Sequence, residues 1–500
     1  MQRDWFKPGA QLRLAITATC LAAFVLFGYD QGVFGGLVTH PNFLSTFGHP
    51  APDFLGIIVS IYNVGCFVGC ALNLYFGPRF GRREAIWGAM CLVSLGAILQ
   101  CTSYGVPQMM VGRFITGLGV GIDTSTVPMY QAELCKPEVR GRLVTTEVLF
   151  VALGIAVAYF LDFGFSFLGG SVAWRVPIAL QVPLAVGVCV LVVGLPETPR
   201  WLWQQGRVEE AVGVMRRVHD VPEGDEYVVR ESEEIRKAIE IEAASPFKWA
   251  RILRRDPLQT GYRVGLACLV LFMNQWAGIN VIVFYISPVL EGSVGLDRNT
   301  AIIAGGCINL AFAVGSLVPA LGADRLGRRK PMMFGAAGMG LSMMCVAILL
   351  SFNGTDKERI TANASIAFFV TYMISFGASL NAIPWVYATE ILPIRVRAQG
   401  TALAVFNNWI WVFLIVMVTP TLVANLQWKT YLIFMAFNFA FIPVIYFLFP
   451  ETKGLTLEKI DFLFLKEDRL PAKERMEAQD NSNGEKPGVQ LLEQRGEAEP

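Results

Sequence analysis

The sequence predicts an all-α membrane protein of twelve transmembrane helices, built as two pseudo-symmetric six-helix halves with a cytosolic helical linker between them. Three observations lead there. The 500 residues are 54% hydrophobic with a mean hydropathy of +0.49. Only 16% are charged, against roughly 25% in an ordinary soluble protein, and the clustered charges leave apolar stretches of the about 20 residues that a spanning helix needs. Three motifs also recur. Gly81-Arg82-Arg83 returns as Gly327-Arg328-Arg329, Glu133 with Pro137 and Arg140 as Glu390 with Pro393 and Arg397, and Pro196-Glu197-Thr198 as Pro450-Glu451-Thr452. Their separations of 246, 257 and 254 residues agree well enough to mean an internal duplication. That organisation is typical of transporters whose site lies between repeats near the bilayer midplane.

In chain order, the first half (1–194) should hold spans near 12–38, 55–75, 85–103, 108–130, 143–165 and 174–194. Residues 195–261 are the one long interior segment rich in charge, with helical periodicity at Glu209–Val218 and Glu231–Glu242. The second half (262–449) should hold spans near 262–290, 300–322, 331–351, 363–389, 399–421 and 428–449. The tail, 450–500, turns polar and rich in Glu, Gly and Pro after about Leu470 and is expected to be largely disordered.

Lysine and arginine set the orientation. Arg79, Arg82 and Arg83 follow span 2; Lys136, Arg140 and Arg142 follow span 4; Arg325, Arg328, Arg329 and Lys330 follow span 8; Arg395 and Arg397 follow span 10. Residues 39–54 hold no Lys or Arg. Both termini and the linker are therefore expected in the cytosol, and Asn353-Gly354-Thr355 outside as a glycosylation sequon. The N-terminus lacks the short apolar core and cleavage site of a signal peptide, so the first span is read as an anchor. A net charge of +1 gives no field for nucleic acid. The ten cysteines are scattered, without the spacing of a metal site or a disulfide framework.

Polar residues inside apolar stretches point to chemistry. Asp30, in Phe27-Gly28-Tyr29-Asp30-Gln31-Gly32, puts a carboxylate where about 2.5–3.5 kcal/mol opposes it unless it is protonated, paired or facing water. Asn274, Gln275 and Asn280 are amides in span 7, and amides both donate and accept, which suits hydroxyl ligands. A straight helix would turn Asn280 off the face of Gln275, and Gly278 could break the helix and bring both inward. Asn309 in span 8 and Asn408 in span 11 extend the set. Trp385 follows Pro384, where the interrupted backbone can mark a hinge and the indole can stack on a sugar or polyol. Phe27, Tyr285 and Trp409 are further aromatic candidates. Asp123 lies ten residues past Arg113 on span 4, about 15 Å along the helix and too far to pair with it directly.

The ordered set FGYDQG at 27–32, GRFITGLGVG at 112–121, PMYQAE at 128–133, VRG at 139–141, PETPRWL at 196–202, NQWAGIN at 274–280, DRLGRR at 324–329, IPWVYATE at 383–390 and PETKG at 450–454 resembles the sugar porter family of the major facilitator superfamily, in its fungal sugar and polyol type. The resemblance spans residues 27–454 and implies the major facilitator fold, alternating access and no enzymatic activity, with no cofactor or metal. It implies a proton-coupling pair, Asp30 with Arg113. Burial opposes the charge on Asp30 and a nearby guanidinium favours it, so protonation would release Arg113. It matches Asn274, Gln275 and Asn280 to sugar contacts. It also implies a cytosolic gate in which Glu133, Arg140 and Glu197 face Asp324, Arg328, Glu390, Arg397 and Glu451 across the two halves. Departures are visible. Pro78 stands where the pattern has Asp, Val148 where it has a span-5 glutamine beside Glu147, Val412 where it often has a span-11 Asn, and Asn381-Ala382 where it has Gly-Pro.

The expected function is secondary active transport of a sugar or polyol, with a proton, through a multi-pass protein of the plasma membrane. Passive uniport is the alternative within transport. A transporter-like nutrient sensor is the alternative outside it, and about 50 residues follow Pro450 with no recognised partner motif.

Overall fold

The computed structural model describes residues 5–244, 256, 258–393, 396–455 and 457–465. Its spans, numbered in chain order, are Ala10–Leu37, Pro52–Phe80, Arg82–Cys101, Val106–Leu134, Pro137–Ser166 and Val172–Val193 in the first half. The second half follows with Thr260–Val294, Arg298–Leu326, Arg329–Leu350, Glu358–Glu390, Arg397–Leu426 and Lys429–Leu448. Their starts carry ordinary helix signals. Proline occupies the first turn of spans 2, 4 and 5, where its missing N–H is no loss, and Asp297 caps span 8 by accepting from the Thr300 N–H.

Eleven of these segments are apolar and long enough to cross a membrane by composition. Span 4 is the twelfth helix and falls short of that measure. At 29 residues it is about 44 Å long, so polarity rather than length sets it apart. It carries Arg113, Asp123 and Glu133 among many glycines.

Span 4 packs on spans 2 and 3 within the first half, and span 1 packs on span 5. In the second half, span 9 packs on spans 10 and 12, and span 7 on span 11. The halves meet along two seams, span 5 against span 8 and span 2 against span 11.

Small residues let spans 2 and 4 approach at backbone distance. A Cβ on Gly65 or Gly69 would run into the carbonyl oxygens of Phe114 and Leu118, and one on Gly117 or Gly121 into those of Tyr62 and Cys66. Each helix thus offers a small-xxx-small face to the other, which is how helices associate tightly where hydrocarbon supplies no hydrophobic drive. This contact brings Tyr62 and Val59 of span 2 up against Arg113, one turn from Gly117.

Beyond span 6 the chain forms short helices at Pro199–Gln204, Val208–His219 and Glu226–Ala244. The second docks on the start of span 1, where Gly9 N–H donates to Arg217 O (2.8 Å) and the Arg13 guanidinium to Val218 O (2.8 Å). Of the expected tail, 450–500, residues Leu457–Phe464 form a helix, and residues 466–500 lie outside the described residues.

The glycine contact gives a direct test. Gly117→Val forces bulk into a backbone–backbone approach and should destabilise the purified protein by about 1–3 kcal/mol, read as a lower melting temperature in detergent. Gly213→Val, at a position with open space around it, should melt close to wild type.

Candidate functional site

Two polar constellations sit inside the bundle, one in each half. In the first, Asp30 and Arg113 face each other with side chains fully buried, Arg113 Nη1 lying 3.6 Å from Asp30 Oδ1. The contact is loose. Neither Asp30 oxygen is within full hydrogen-bond geometry of a donor, although Tyr62 and Gln181 stand near enough to interact with the carboxylate, and Nε and Nη1 of Arg113 donate no hydrogen bond. The guanidinium is held by other means: Nη2 donates to Val59 O (2.9 Å), and its plane lies 3.9 Å from the Phe34 ring centre and 4.6 Å from that of Tyr62. Aromatic faces of this kind attract a desolvated cation by about 2 kcal/mol. Tyr62 and Gln181 complete the wall around Asp30. The sequence reading named none of Phe34, Tyr62 and Gln181. Gln181 was findable as a lone amide in the apolar run of span 6; the two aromatics gave no signal beyond hydrophobicity.

The second constellation is a row of amides. Span 7 breaks at Gly278, whose φ of +104° places it in the left-handed region that costs glycine least. One helical piece ends at Trp276 and the next begins at Ile279. The carbonyl of Ala277, freed by the break, accepts from Tyr372 Oη (2.8 Å) and Asn438 Nδ2 (2.9 Å), so the irregular backbone is satisfied from spans 10 and 12. The break turns Asn280 back toward Gln275. Asn280 Nδ2 donates to Gln275 Oε1 (2.6 Å), and Gln275 Nε2 donates to Asn274 Oδ1 (2.5 Å) and Asn408 Oδ1 (2.9 Å). Four buried amides thus form one hydrogen-bonded array. Asn274 Nδ2 donates in turn to Leu380 O, inside a widened π-helical turn, Gly377–Asn381, of span 10. That turn lies just ahead of Pro384, so the backbone is irregular here although the Gly-Pro of the family pattern is missing.

Phe27 joins the two constellations. It lies three residues before Asp30 on span 1, and its ring centre is 6.0 Å from that of Trp409, next to Asn408. Tyr285 donates to Val416 O (2.9 Å) and faces Arg113 from the second half. Asn309 stays apart from the array: its Nδ2 bonds Gly305 O (2.9 Å) of its own helix. Trp385 is half-buried against the core. A groove of about 790 Å³ opens between spans 2, 3, 4 and 6, walled by Leu72, Phe76, Phe80 and Trp87; these are exposed apolar side chains, and the groove includes none of the amides.

At the arginine-rich end, charge contacts close within each half. Arg82 pairs with Glu133 (3.1 Å) and Arg328 with Glu390 (2.9 Å). Arg140 Nε donates to Ala132 O (3.1 Å), and Arg397 Nη2 to Leu392 O (3.2 Å). The Glu197 carboxylate receives the backbone N–H groups of Arg82, Arg83 (3.0 Å each) and Thr198 (2.8 Å). Burial nevertheless pushes this carboxyl above its ordinary range, against the pull of those donors. Glu451 repeats the device on Arg328 (2.8 Å), Arg329 and Thr452 (3.1 Å each). These contacts lie within each repeat, the acids sitting beside helix N-termini and arginines of their own half; the pairing between halves that the resemblance implies belongs to the outward-facing state and is to separate when the cytosolic side opens. Where the first half has Pro78 in place of Asp, the Pro78 carbonyl accepts from Trp201 Nε1 (2.9 Å). The Asp324 side chain lies outside the described residues. At the opposite end the halves are laced together by Thr39 to Glu291 (2.7 Å), Ser166 to Asn299 (3.0 Å) and Tyr159 to Val283 O (2.8 Å). Asn353 is exposed there, its Nδ2 on Ser293 O (3.0 Å).

A family model described as sugar (and other) transporter matches residues 15–464. The MFS-type transporter oryC of Aspergillus oryzae is 36% identical over 459 residues, 91% of this chain and 85% of that protein. The sugar transporter STL1 of Saccharomyces cerevisiae is 33% identical over 475 residues, 92% and 83% of the two chains. Among solved structures, the proton:xylose symporter XylE of E. coli superimposes with a TM-score of 0.76 at 24% identity, over 91% of this chain and 99% of that one.

The amide array predicts an order of sensitivity. Gln275→Ala removes the centre and strands Asn274 Oδ1, Asn408 Oδ1 and Asn280 Nδ2, each at about 1–3 kcal/mol. Asn280→Ala removes an end and strands only Gln275 Oε1. Thermal unfolding of the purified variants should rank wild type above Asn280→Ala and Asn280→Ala above Gln275→Ala.

Proposed function

The chain belongs to the sugar (and other) transporter family, and from that membership we propose that it moves a sugar or polyol across the plasma membrane by alternating access, together with a proton. It is a multi-pass membrane transporter and not an enzyme.

The observation that carries the proton is the pair Asp30–Arg113. An ion pair serving only as packing would be short and hydrogen-bonded, because a buried charge is otherwise costly. This one is 3.6 Å apart, with Tyr62 and Gln181 beside the carboxylate but no donor in full hydrogen-bond geometry, and Arg113 keeps Val59 O and two aromatic faces when Asp30 is neutral. Protonating Asp30 therefore loosens span 1 from span 4 without stranding the cation. A proton moving down 100 mV supplies about 2.3 kcal/mol, roughly a 50-fold accumulation of a neutral solute.

The substrate assignment rests on the amide array and its aromatic neighbours Phe27 and Trp409, with Asn274 giving part of its capacity to the turn of span 10. Asn309 and Trp385 are secondary candidates that a turned-over conformation would bring in. Val148 and Val412 remove two amides of the family pattern, which favours a polyol or a sugar other than glucose or xylose. The arginine-rich end is assigned to the cytosol with both termini, and the laced end to the outside, so this conformation has its outer gate shut. Glu133, Arg140, Glu197, Asp324, Arg328, Glu390, Arg397 and Glu451 form the inner gate. Exposed pairs are worth about 0–1 kcal/mol each, so several make a latch that ligand binding can open. Asn353 is then on the outer face and available for glycosylation.

Reconstituted protein given a panel of radiolabelled polyols and sugars should accumulate at least one under an inward proton gradient. Asp30→Asn should abolish accumulation and leave counterflow exchange intact. Equilibration without accumulation in the wild type would assign uniport, and accumulation surviving in Asp30→Asn would remove Asp30 from the coupling.

A further inference from the structure

Tyr159 of span 5 is fully buried where spans 5 and 8 meet, about 10 Å inside the laced end of its helix at Ser166. Its hydroxyl donates to Val283 O (2.8 Å) on span 7. The same oxygen lies against Gly35 of span 1, where a Cβ would collide with it. The ring faces Gly305 of span 8, where a Cβ would come within 2.9 Å of it. One side chain therefore meets spans 1, 7 and 8 at once, and two of these belong to the opposite half.

The two sides of this contact differ in stiffness. Spans 1 and 5 run together at backbone distance. A Cβ on Gly28 or Gly32 would strike the carbonyl oxygens of Val151 and Ile155, one on Gly154 that of Val25, and one on Gly36 the Asp162 carboxylate. Helices joined in this way pack as a unit. Val283 instead sits on Ile279–Val289, the short piece of span 7 beyond the break at Gly278. The helix is interrupted there, so this piece can swing about Gly278 as a hinged body.

Two further ties hold the same end. Thr39 to Glu291 (2.7 Å) and Ser166 to Asn299 (3.0 Å) are only part-buried. A part-exposed group that lets go finds water, so such a tie contributes little. The phenol hydroxyl is sealed in, and leaving it without Val283 O costs its full desolvation.

We propose that Tyr159 sets how often the laced end opens: it is a positioning residue that pins the Ile279–Val289 piece of span 7 to the rigid pair of spans 1 and 5. This deepens the alternating-access reading above and rests on it. When the piece swings away, the hydroxyl exchanges Val283 O for water and the ring leaves the hollow at Gly305. The pin acts alike whether Asp30 is charged or neutral, because it touches neither Asp30 nor Arg113.

Hydrogen–deuterium exchange of the full chain in lipid nanodiscs, read by mass spectrometry without substrate, tests it. Tyr159→Phe keeps the ring and loses the donor. Amides of residues 279–289 should then exchange about fivefold faster, the population shift that one lost hydrogen bond gives. Amides of residues 327–333 at the arginine-rich end should exchange more slowly, because opening one end shuts the other. Thr39→Val, which removes a part-exposed tie, should have the smaller effect. Gly35→Ala presses the phenol off Val283 and should reproduce Tyr159→Phe; it decides the question if Tyr159→Phe does not fold. Gly164→Ala, on the same helix with open space around it, is the neutral reference. Unchanged exchange at 279–289, faster exchange at both ends, or an equal effect of Thr39→Val would overturn the pin. Faster exchange at 279–289 with none lost at 327–333 would uphold the pin and count against alternating access, so the two readings fail separately.

Discussion

Burying a guanidinium at Arg113 is the constraint on which the first half turns. A cation in the middle of a dry bundle must be held, and here three different kinds of contact hold it: a backbone carbonyl, two aromatic faces and a carboxylate at arm's length. The division matters because the first two do not change with protonation, and the third does. The close glycine contact between spans 2 and 4 makes this possible, since it brings the Val59 carbonyl and the Tyr62 ring within reach of Arg113. Packing geometry therefore comes before electrostatics: without the small residues the cation would be left with the span 1 groups Asp30 and Phe34.

The second half solves the opposite problem. Among the described residues its buried ion pair, Arg263 with Asp461, lies at the start of span 7, and the polar groups at its centre are neutral amides that satisfy one another and two breaks in the backbone. The break at Gly278 and the widened turn at Gly377–Asn381 each free a carbonyl, and each is met by an amide or hydroxyl that the bundle already contains. A site made of groups that bond each other when empty pays little to stand without ligand. It is also set to exchange partners when hydroxyls arrive.

Much of this was legible in the residues. The duplication came from three repeated motifs, the acid from its misfit in an apolar run, and the amides from their spacing around a glycine; the break at Gly278 and the Asn280–Gln275 bond are where that reasoning and the structure meet most closely. Other features were not legible. Nothing in the sequence told Phe34 and Tyr62 apart from ordinary apolar positions, because a cation–aromatic contact depends on which faces meet. The resemblance named the inner charges as a gate but not their partners within each half: Arg82 reaches Glu133 and Arg328 reaches Glu390 inside their own repeat. Residue type fixes sign, and only the fold decides the neighbour. Span 4 escapes a hydropathy measure for the reason it matters, its polar and small residues.

The Gly-Arg-Arg motif reads in sequence as a charge signal, and its arginines do supply charge. In the structure, however, Glu197 and Glu451 grip the backbone N–H groups of the arginines, and Gly81 and Gly327, at φ of +86° and +81°, turn those groups outward. A Cβ at either glycine would press on the carboxylate. One tripeptide therefore encodes two separable instructions, one written in side chains about which way the chain faces and one written in main chain about where the last span of each half is fastened to its third. Neutral residues in place of the arginines would erase the first message and leave the second readable; a larger residue in place of the glycine would do the reverse.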